Sequence, residues 1–509
     1  MNQTSIFDML YPKYKIIKPI RLIEFFAGYG SQALALKYLG VPFEHWKICE
    51  WAVKSIQAYK DIHFSDKEFK DTYMTKEQMV DFLYSKGIST NYNEPMSKQQ
   101  IERLKEEQLE NIIKNIFITH NLVNIQQVKG KDLEIVDTDK YDYILTYSFP
   151  CQDLSLAGKG KGMSDTSTRS GMLWEVERIL TECHELGTMP QILLMENVPQ
   201  VHGEGNVEDF NKWQLRLEEL GYKNYFQDLI ATDYGIPQTR NRCFMISVLG
   251  DYSYTFPKPI PLELKLKDML EDNVDEKYYL SDKMLDYCFG VNQKESKFPR
   301  GERFLQSLEQ TNEKNIATTI TTNAGNRPTD NFIKIKNATK QGYLEATDGD
   351  GVDISSRMEH HRGNVQKDKI QTLTTSGGND RGVVIDTLKR DLCNKLIQDG
   401  LVEEGDVVKH SYTQQILDGN KKCVEKNDGN MITLTTRGDC VGTTVKDNIG
   451  NLRIRKLTPR ECFRLMGVKD EDFEKCAKNQ SNASLYHLAG DSIVVDVLCH
   501  IFYQFFKDS

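Results

Sequence analysis

Residues 20–40 read IRLIEFFAGYGSQALALKYLG and join an apolar run, a glycine turn and a segment rich in Ala and Leu that ends at Gly40. This order predicts a strand, a turn and a helix, the opening unit of a nucleotide-binding α/β sheet. Gly28 and Gly30 would let the backbone approach a ligand at the start of the helix, where free N–H groups favour an anionic group. A plain tight turn is the alternative for these glycines.

The second predicted strand ends in Glu50 and Trp51, roughly twenty residues after the glycine turn. A carboxylate at that spacing can accept hydrogen bonds from the two ribose hydroxyls of an adenosine, with the aromatic ring beside the adenine. Further along the chain, Asp132 follows a turn and can accept from the exocyclic amine of an adenine. A solvated carboxylate is the alternative at Glu50.

A cysteine stands at the exit of a third predicted strand. Residues 141–173 read YDYILTYSFPCQDLSLAGKGKGMSDTSTRSGML, in which Pro150 ends an aromatic, apolar run directly before Cys151. Roughly twenty residues rich in Gly, Ser, Thr and Lys follow, and this length predicts a loop that folds over a substrate. The alternative to a nucleophile here is a small buried cysteine. The basic side chains of the loop, which suit a polyanion, are Lys159, Lys161 and Arg169.

A carboxylate and two arginines occur at the ends of later strands. The run ILLM predicts a fully buried strand, with Glu196 and Asn197 at its exit. Because the exits of parallel strands face one crevice, Cys151 and Glu196 are expected to be neighbours. Arg240 and Arg242 alternate where the last strand begins, so both are expected to point into the same crevice and bind phosphate. A capping role for Glu196 and solvated arginines are the alternatives.

The chain divides into segments of different composition. Residues 61–128 are charged and helical in pattern and predict an inserted helical hairpin. Prolines after residue 256 mark a boundary, and the following region carries three similar Thr-rich stretches that start at 317, 371 and 432. The last apolar helix is predicted to return beside the glycine turn. We therefore expect a first domain over 1–256, a second over 257–450 and a returning segment over 451–509.

Composition limits the class of protein. The chain has 509 residues, a net charge of −9 and 11 cysteines without a CxxC pair, which predicts reduced thiols rather than disulfides or a zinc site. With this acidic balance, a face that binds nucleic acid must be local. The sequence shows no apolar run near bilayer length and no secretory signal, so a cytoplasmic protein without a membrane partner is expected.

Six motifs follow one another along the chain: FAGYGS, FPCQDLS, ENV, QTRNR, RKLTPRECFRLMG and AGDSIVV. In this order the chain resembles the bacterial and phage cytosine-C5 DNA methyltransferases over most of residues 20–256 and 450–505. The resemblance implies a Rossmann-like α/β catalytic domain with a smaller, mostly β or irregular target-recognition domain. It also implies S-adenosyl-L-methionine as methyl donor. Ser31 stands where the family has a second glycine, and Asp491 where it commonly has asparagine.

The resemblance implies three sets of site residues and no metal. The cofactor pocket would contain Phe26, Ala27, Gly28, Gly30, Glu50, Trp51, Asp132, Leu133, Pro150, Leu173, Asp491 and Ser492. The catalytic residues would be Cys151, Glu196, Asn197, Arg240 and Arg242. The residues that contact DNA would be Gln152, Ser155, Lys159, Lys161, Arg169, Gln238 and Arg437.

By the same resemblance, the Cys151 thiolate would add to C6 of a flipped-out cytosine and thereby make C5 nucleophilic. Glu196 would hold N3 and the exocyclic amine and supply the proton that favours addition. Asn197 would fix the strand exit. Arg240 would bind the cytosine O2 or a flanking phosphate and stabilise the thiolate.

The expected partner is double-stranded DNA, bound by a monomer in restriction-modification or phage DNA protection, where a cognate restriction endonuclease is a candidate partner. A transfer-RNA cytosine-C5 methyltransferase of the same fold is the nearest alternative. A catalytically silent DNA-binding regulator is the alternative from another class. A thiol hydrolase is disfavoured because no histidine lies in the motif segments nearest Cys151.

Overall fold

The structure, a computed structural model, describes residues 11–69, 72–150, 170–280, 300–322, 324–336 and 452–507, with single residues and short strands elsewhere. The chain forms two compact units. The first contains Met1–Val274, Ser281–Ile333 and Lys456–Ser509, and the second contains Asp275–Leu280 and Lys334–Arg455. The assignment of residues 257–450 to target recognition stays a prediction.

A six-stranded sheet forms the centre of the first unit. Its strands are β1 Ile20–Phe25, β2 Phe43–Cys49, β3 Asp142–Tyr147, β4 Ile192–Asn197, β5 Tyr222–Ile230 and β6 Asn241–Leu249. They lie in the order β2-β1-β3-β4-β6-β5. The first four are parallel, and β6 runs antiparallel to both β4 and β5. This confirms the predicted Rossmann-like α/β class.

The middle strands are buried on both faces. Every residue of β1, β3 and β4 is buried, as expected for strands of a parallel sheet that is covered on both sides. Helices follow the strands, and the core beside β3 and β4 includes Trp213, whose indole donates to the Tyr147 hydroxyl at 3.1 Å. The helices that accompany the sheet are α1 Ser31–Tyr38, α2 Val53–His63, α6 Leu173–Leu186 and α7 Val207–Glu219.

Three further helices lie between α2 and β3, within residues 61–128. They are α3 Lys76–Lys86, α4 Lys98–Glu102 and α5 Glu106–Ile118. Capping boxes at Thr75 and Ser97 satisfy backbone N–H groups at the starts of α3 and α4. The buried faces of the three helices form a separate apolar cluster, against which Trp51 packs. The cluster therefore connects this segment to the exit of β2.

The C-terminal segment packs against the first unit. Its helices are Pro459–Leu465, Asp470–Ala477, Asn482–Asp491 and Val495–Tyr503. The last packs on α1, where the Cys499 thiol lies 3.6 Å from the carbonyl oxygen of Ala35.

One stretch of the described residues, Asn482–Tyr503, is long and apolar enough by composition to cross a membrane. The sequence had been expected to contain no such run. Residues 492–494 interrupt its helix, and 61% of its apolar window is buried inside the protein. It is therefore a core element and gives no evidence for a membrane.

The first Thr-rich stretch belongs to the first unit. Its described residues, 317–322 and 324–331, form no strand and lead from a β-bridge between Ala317 and Gln238 to the strand Phe332–Lys336. The stretches that start at 371 and 432 lie mostly outside the described residues. The second unit contains two small antiparallel sheets of three strands each. The strands of the first are Gly351–Asp353, Asn364–Gln366 and Gly382–Val384. The strands of the second are Val407–Lys409, Val424–Glu425 and Cys440–Val441.

Glu24 is a fully buried carboxyl in β1 that should make stability depend on pH. It accepts hydrogen bonds from the Tyr59 hydroxyl at 2.5 Å and the Ala33 N–H at 3.3 Å. Burial nevertheless raises its pKa from 4.5 to about 7. The stability contributed by the protonated Glu24 is therefore fully present at pH values below its pKa in the unfolded chain. It is lost as the pH rises through its pKa in the folded protein.

We expect Glu24→Gln to remove this part of the pH dependence, because glutamine keeps the volume but does not ionise. A pKa difference of this size corresponds to roughly 3 kcal/mol. Relative to the variant, the wild type should lose about that much free energy of unfolding between pH 4 and pH 8, as measured by urea titration. Glu77→Gln, at an exposed position in α3, is the control. Parallel wild-type and Glu24→Gln curves would contradict the expectation.

Candidate active site

A buried carboxylate lies at the exit of β4. Glu196 is 4% exposed, and its Oε2 accepts from the Ser148 hydroxyl at 2.5 Å. Its Oε1 lies 3.1 Å from Nε of Arg242 on β6. One oxygen is thus held by a hydroxyl from the end of β3 and the other by a guanidinium. The carboxylate is fixed in direction at the point where the two parallel strands end.

The segment that leads to Cys151 is fixed against the same strand exit. The side-chain amide of Asn197 donates to the carbonyl oxygen of Phe149 at 3.0 Å, and its Oδ1 accepts from the N–H of Val198 at 2.8 Å. Asn197 therefore joins the ends of β3 and β4. Cys151 follows Pro150 directly but lies outside the described residues. The same holds for Gln152, Ser155, Lys159, Lys161, Arg169 and Arg437.

The two arginines have different surroundings, which corrects the prediction for Arg240. The ion pair that the structure shows at Glu196 belongs to Arg242. Arg240 is 4% exposed and donates to the carbonyl oxygens of Ile320, Gly490 and Ser492 at 3.3, 3.1 and 2.6 Å. The physical reason is that β6 begins at residue 241, so strand alternation does not extend to Arg240.

Gln238 also differs from its predicted role. Its side chain is fully buried and donates to the Leu465 carbonyl at 2.7 Å, while its oxygen accepts from the Ile320 N–H at 3.0 Å. A side chain with no exposed surface cannot meet DNA, so the prediction of a DNA contact is wrong for this structure. Gln238 instead joins the Thr-rich stretch to the helix Pro459–Leu465.

The predicted cofactor turn is fixed by the end of β2. The Phe26 N–H donates to the Cys49 carbonyl at 2.8 Å, and the Gly28 N–H donates to Oε2 of Glu50 at 2.9 Å. Gly28 has a positive φ of 55°, and a Cβ added to it would meet nothing within 4 Å. Gly30, at φ 84°, packs against Tyr59 and has no room for a Cβ. The turn thus presents open backbone at Gly28.

Glu50 is a second buried carboxylate and directly follows β2. Its Oε1 accepts from the N–H of Ala52 at 2.8 Å. The backbone N–H of Glu50 donates to Oδ1 of Asn121 at 3.0 Å, and Nδ2 of Asn121 donates to the Glu50 carbonyl at 2.8 Å. Burial raises its pKa to about 7, against the lowering effect of the N–H donors. A buried carboxylate of this kind is stabilised by further hydrogen-bond donors.

The remaining residues of the predicted pocket come from several elements. Asp132 is half-buried and accepts from the Lys129 N–H at 2.9 Å, so one of its oxygens caps its own short turn. The carbonyl of Leu133 accepts from the Trp46 indole at 2.8 Å. Leu173 is fully buried at the start of α6. Ala27 is buried, and Trp51 and Pro150 are half-buried.

The C-terminal segment completes this region. The hydroxyls of Ser31 and Ser492 lie 2.5 Å apart, and the Asp491 carboxylate lies 2.9 Å from Nε2 of His487. The backbone of Thr321 and Thr322 approaches Gly490 so closely that a Cβ would collide with it. The serine that replaces the family glycine therefore has a partner, which sequence alone did not reveal.

Sequence reasoning missed two groups. Ser148 directly precedes FPCQ, and its polar side chain at a strand end was the available signal. His202, Asp228 and Cys243 bring three metal-ligating atoms within 4.8 Å of one another, and His202 and Asp228 already pair at 2.9 Å. These three residues come from separate elements, and their spacing in the chain carries no metal motif.

The sheet order, the pair of Glu196 and Arg242 at the end of β4, and the FPCQ motif that follows β3 in the sequence agree with the class of cytosine-C5 methyltransferases. A family model described as C-5 cytosine-specific DNA methylase matches residues 82–507, and the chain belongs to this family. Its activity is methylation of cytosine at C5, with DNA as the substrate. The transfer-RNA alternative is not favoured by this match.

The chain is similar to bacterial methyltransferases over much of its length. It is 29% identical over 492 residues to the type II methyltransferase M2.ScrFI of Lactococcus lactis subsp. cremoris, covering 96% of this chain and 99% of the relative. It is 39% identical over 273 residues to the orphan methyltransferase M.SssI of Spiroplasma monobiae, covering 52% and 68%. A solved structure, the Dnmt2 methyltransferase of S. pombe, is 14% identical, with coverage of 95% and 98% and a TM-score of 0.46.

Proposed function

We propose that S-adenosyl-L-methionine is the methyl donor and that it binds between the glycine turn and the C-terminal segment. The open backbone at Gly28 fits a ligand that approaches closely, and the buried carboxyl of Glu50 fits the ribose hydroxyls. Asp491 and Ser492 would close the pocket from the other side. When bound, the cofactor supplies an electrophilic methyl group on a sulfonium.

The protein's own residues would activate the cytosine. The Cys151 thiolate adds to C6, and the C5 carbon gains electron density as the proton from Glu196 reaches N3. Ser148 and Arg242 hold Glu196 in direction, and Arg242 takes the role that the sequence gave to Arg240. After methyl transfer, a base removes the C5 proton and the thiol leaves. The observation that carries this proposal is the fixed Glu196 carboxylate beside the segment that leads to Cys151.

Arg240 would act on the pocket from a distance. Its hydrogen bonds to the carbonyl oxygens of Ile320, Gly490 and Ser492 connect the start of β6 to the Thr-rich stretch and to both sides of Asp491. A guanidinium that binds several carbonyl oxygens fixes the backbone of the segments that it joins. We therefore assign Arg240 to the placement of the returning segment rather than to the base.

The remaining assignments concern the setting of the reaction. We propose that the second unit recognises a specific double-stranded DNA sequence and that the protein acts as a monomer in the bacterial cytoplasm. A cognate restriction endonuclease that cuts the same sequence is the proposed partner. The type II methyltransferases among the relatives support a restriction-modification setting.

The test is methyl transfer from radiolabelled S-adenosyl-L-methionine to duplex DNA and to transfer RNA in parallel. Label should enter duplex DNA, and bisulfite sequencing of DNA from expressing cells should show 5-methylcytosine at one recurring sequence. Incorporation into transfer RNA alone, or into neither substrate with folded protein, would overturn the proposal.

A further inference from the structure

A loop of the helical segment between α2 and β3 is attached to the cofactor side of the sheet. The N–H of Ser89 donates to the Trp51 carbonyl at 2.8 Å, and the Ser89 carbonyl accepts from the N–H of Val53 at 2.9 Å. Trp51 and Val53 are the two neighbours of Ala52, which lies two residues after Glu50 in the chain. The loop is therefore fixed to the backbone beside the carboxylate proposed to bind the ribose.

The loop is also closed by its own side chains. The Ser89 hydroxyl donates to the Glu94 carbonyl at 2.7 Å and accepts from the Tyr92 N–H at 3.2 Å. Oδ1 of Asn91 accepts from the N–H groups of Asn93 and Glu94 at 2.9 and 3.1 Å. Tyr92 has a φ of 62°, which a bulky residue adopts only where its surroundings enforce it. The backbone at Tyr92 is thus held in a definite conformation.

The ring of Tyr92 reaches the C-terminal segment. It packs on the imidazole of His487, with ring centroids 3.9 Å apart and an interplanar angle of 35°. His487 in turn lies 2.9 Å from the carboxylate of Asp491, which precedes Ser492. Tyr92 therefore connects the end of β2 to the residues proposed to close the pocket.

Two carboxylates lie near the Tyr92 hydroxyl. Burial raises the pKa of this hydroxyl, and the charges of Glu50 and Asp491 raise it further. These carboxylates come from opposite sides of the proposed cofactor pocket. The hydroxyl keeps its proton at neutral pH and can donate it to a hydrogen bond.

We propose that Tyr92 is a cofactor-binding residue that covers the adenosine side of the pocket, with the inserted helices as its support. The inference rests on the proposed function, because it requires S-adenosyl-L-methionine between Glu50 and Asp491. The ring excludes water from that side and stabilises the C-terminal segment in its closing position. It acts on affinity for the cofactor and leaves the methyl-transfer step to the residues around Glu196.

The test measures binding of S-adenosyl-L-homocysteine by calorimetry and methyl transfer by the full-length protein. We expect Tyr92→Ala to raise the Kd about tenfold, the size of change that loss of a buried aromatic contact supports. Tyr92→Phe keeps the ring and should change the Kd less. At saturating cofactor, kcat should stay within about twofold, since the reacting groups are unchanged. Tyr84→Ala is the matched control, a tyrosine that is 52% exposed on α3.

The outcomes separate this inference from the proposed function. A wild-type protein that is folded but binds no S-adenosyl-L-homocysteine overturns both. If the wild type binds S-adenosyl-L-homocysteine and Tyr92→Ala binds it with the same Kd, the inference alone is overturned. This holds also where the Tm of Tyr92→Ala is lower than that of the wild type. If Tyr92→Ala does not fold, His487→Leu supplies the test, because it removes the stacking partner and should also weaken binding.

Discussion

Replacement of Cys151 by serine should lower methyl transfer to duplex DNA by at least about 10³-fold while the protein still binds S-adenosyl-L-homocysteine. A serine hydroxyl is a poor nucleophile at neutral pH, and no adduct at C6 means no activated C5. The cofactor affinity should not change, because the residues proposed to bind the cofactor belong to other segments, namely the turn after β1, the end of β2, the loop that carries Tyr92 and the C-terminal segment. Radiolabel incorporation gives the rate, and calorimetry gives the affinity.

Cys499→Ser is the control for this variant. Cys499 is half-buried on the last helix and its thiol lies against α1, so the same change there should leave the rate within about twofold of the wild type. Substantial turnover by Cys151→Ser would overturn the assignment of the nucleophile. Loss of both cofactor binding and turnover would indicate a structural role for this cysteine instead.

Glu196→Gln should lower kcat by about 10²- to 10⁴-fold, the usual contribution of a positioned acid or base. Glutamine keeps the volume and can still accept from the Ser148 hydroxyl, but it has no proton to give to N3. The change also removes the charge opposite Arg242, so the Tm is measured in parallel. Single-turnover assays at saturating DNA and cofactor give the rate of the chemical step.

Glu204→Gln provides the comparison for this second variant. Glu204 is exposed on the segment after β4, and its substitution should leave both the rate and the Tm unchanged. A Glu196→Gln protein of normal Tm that methylates DNA at nearly the wild-type rate would show that the carboxyl is not the proton donor.

Local sequence patterns predicted the fold and the positions of two carboxylates because these patterns involve residues that are close in the chain. The glycine turn and the buried ILLM strand are of this kind, and they place Glu50 and Glu196 at the exits where the structure has them. The rule that parallel strand exits face one crevice then brings the FPCQ segment beside Glu196, and the contacts of Ser148 and Asn197 agree with it.

The wrong predictions concern side chains whose surroundings are determined by packing between segments that are distant in the chain. Alternation on a strand indicates a shared face, but it cannot indicate that β6 begins after Arg240, whose carbonyl partners lie 80 to 252 residues away in the chain. Gln238 lies in the QTRNR motif, yet its side-chain amide is hydrogen-bonded to the backbone of Leu465 and Ile320, which are remote in the chain. The contact between Ser31 and Ser492 spans 461 residues. No local pattern encodes such pairs.

Mass spectrometry of the protein after reaction with duplex DNA that contains 5-fluorocytosine tests the central claim most directly. Fluorine at C5 cannot be removed as the proton is, so the adduct formed after methyl transfer should persist. We expect a stable, cofactor-dependent protein–DNA complex whose cross-linked peptide carries the modification on Cys151. An adduct on another residue, or 5-methylcytosine formation from normal DNA with no adduct at all, would contradict it.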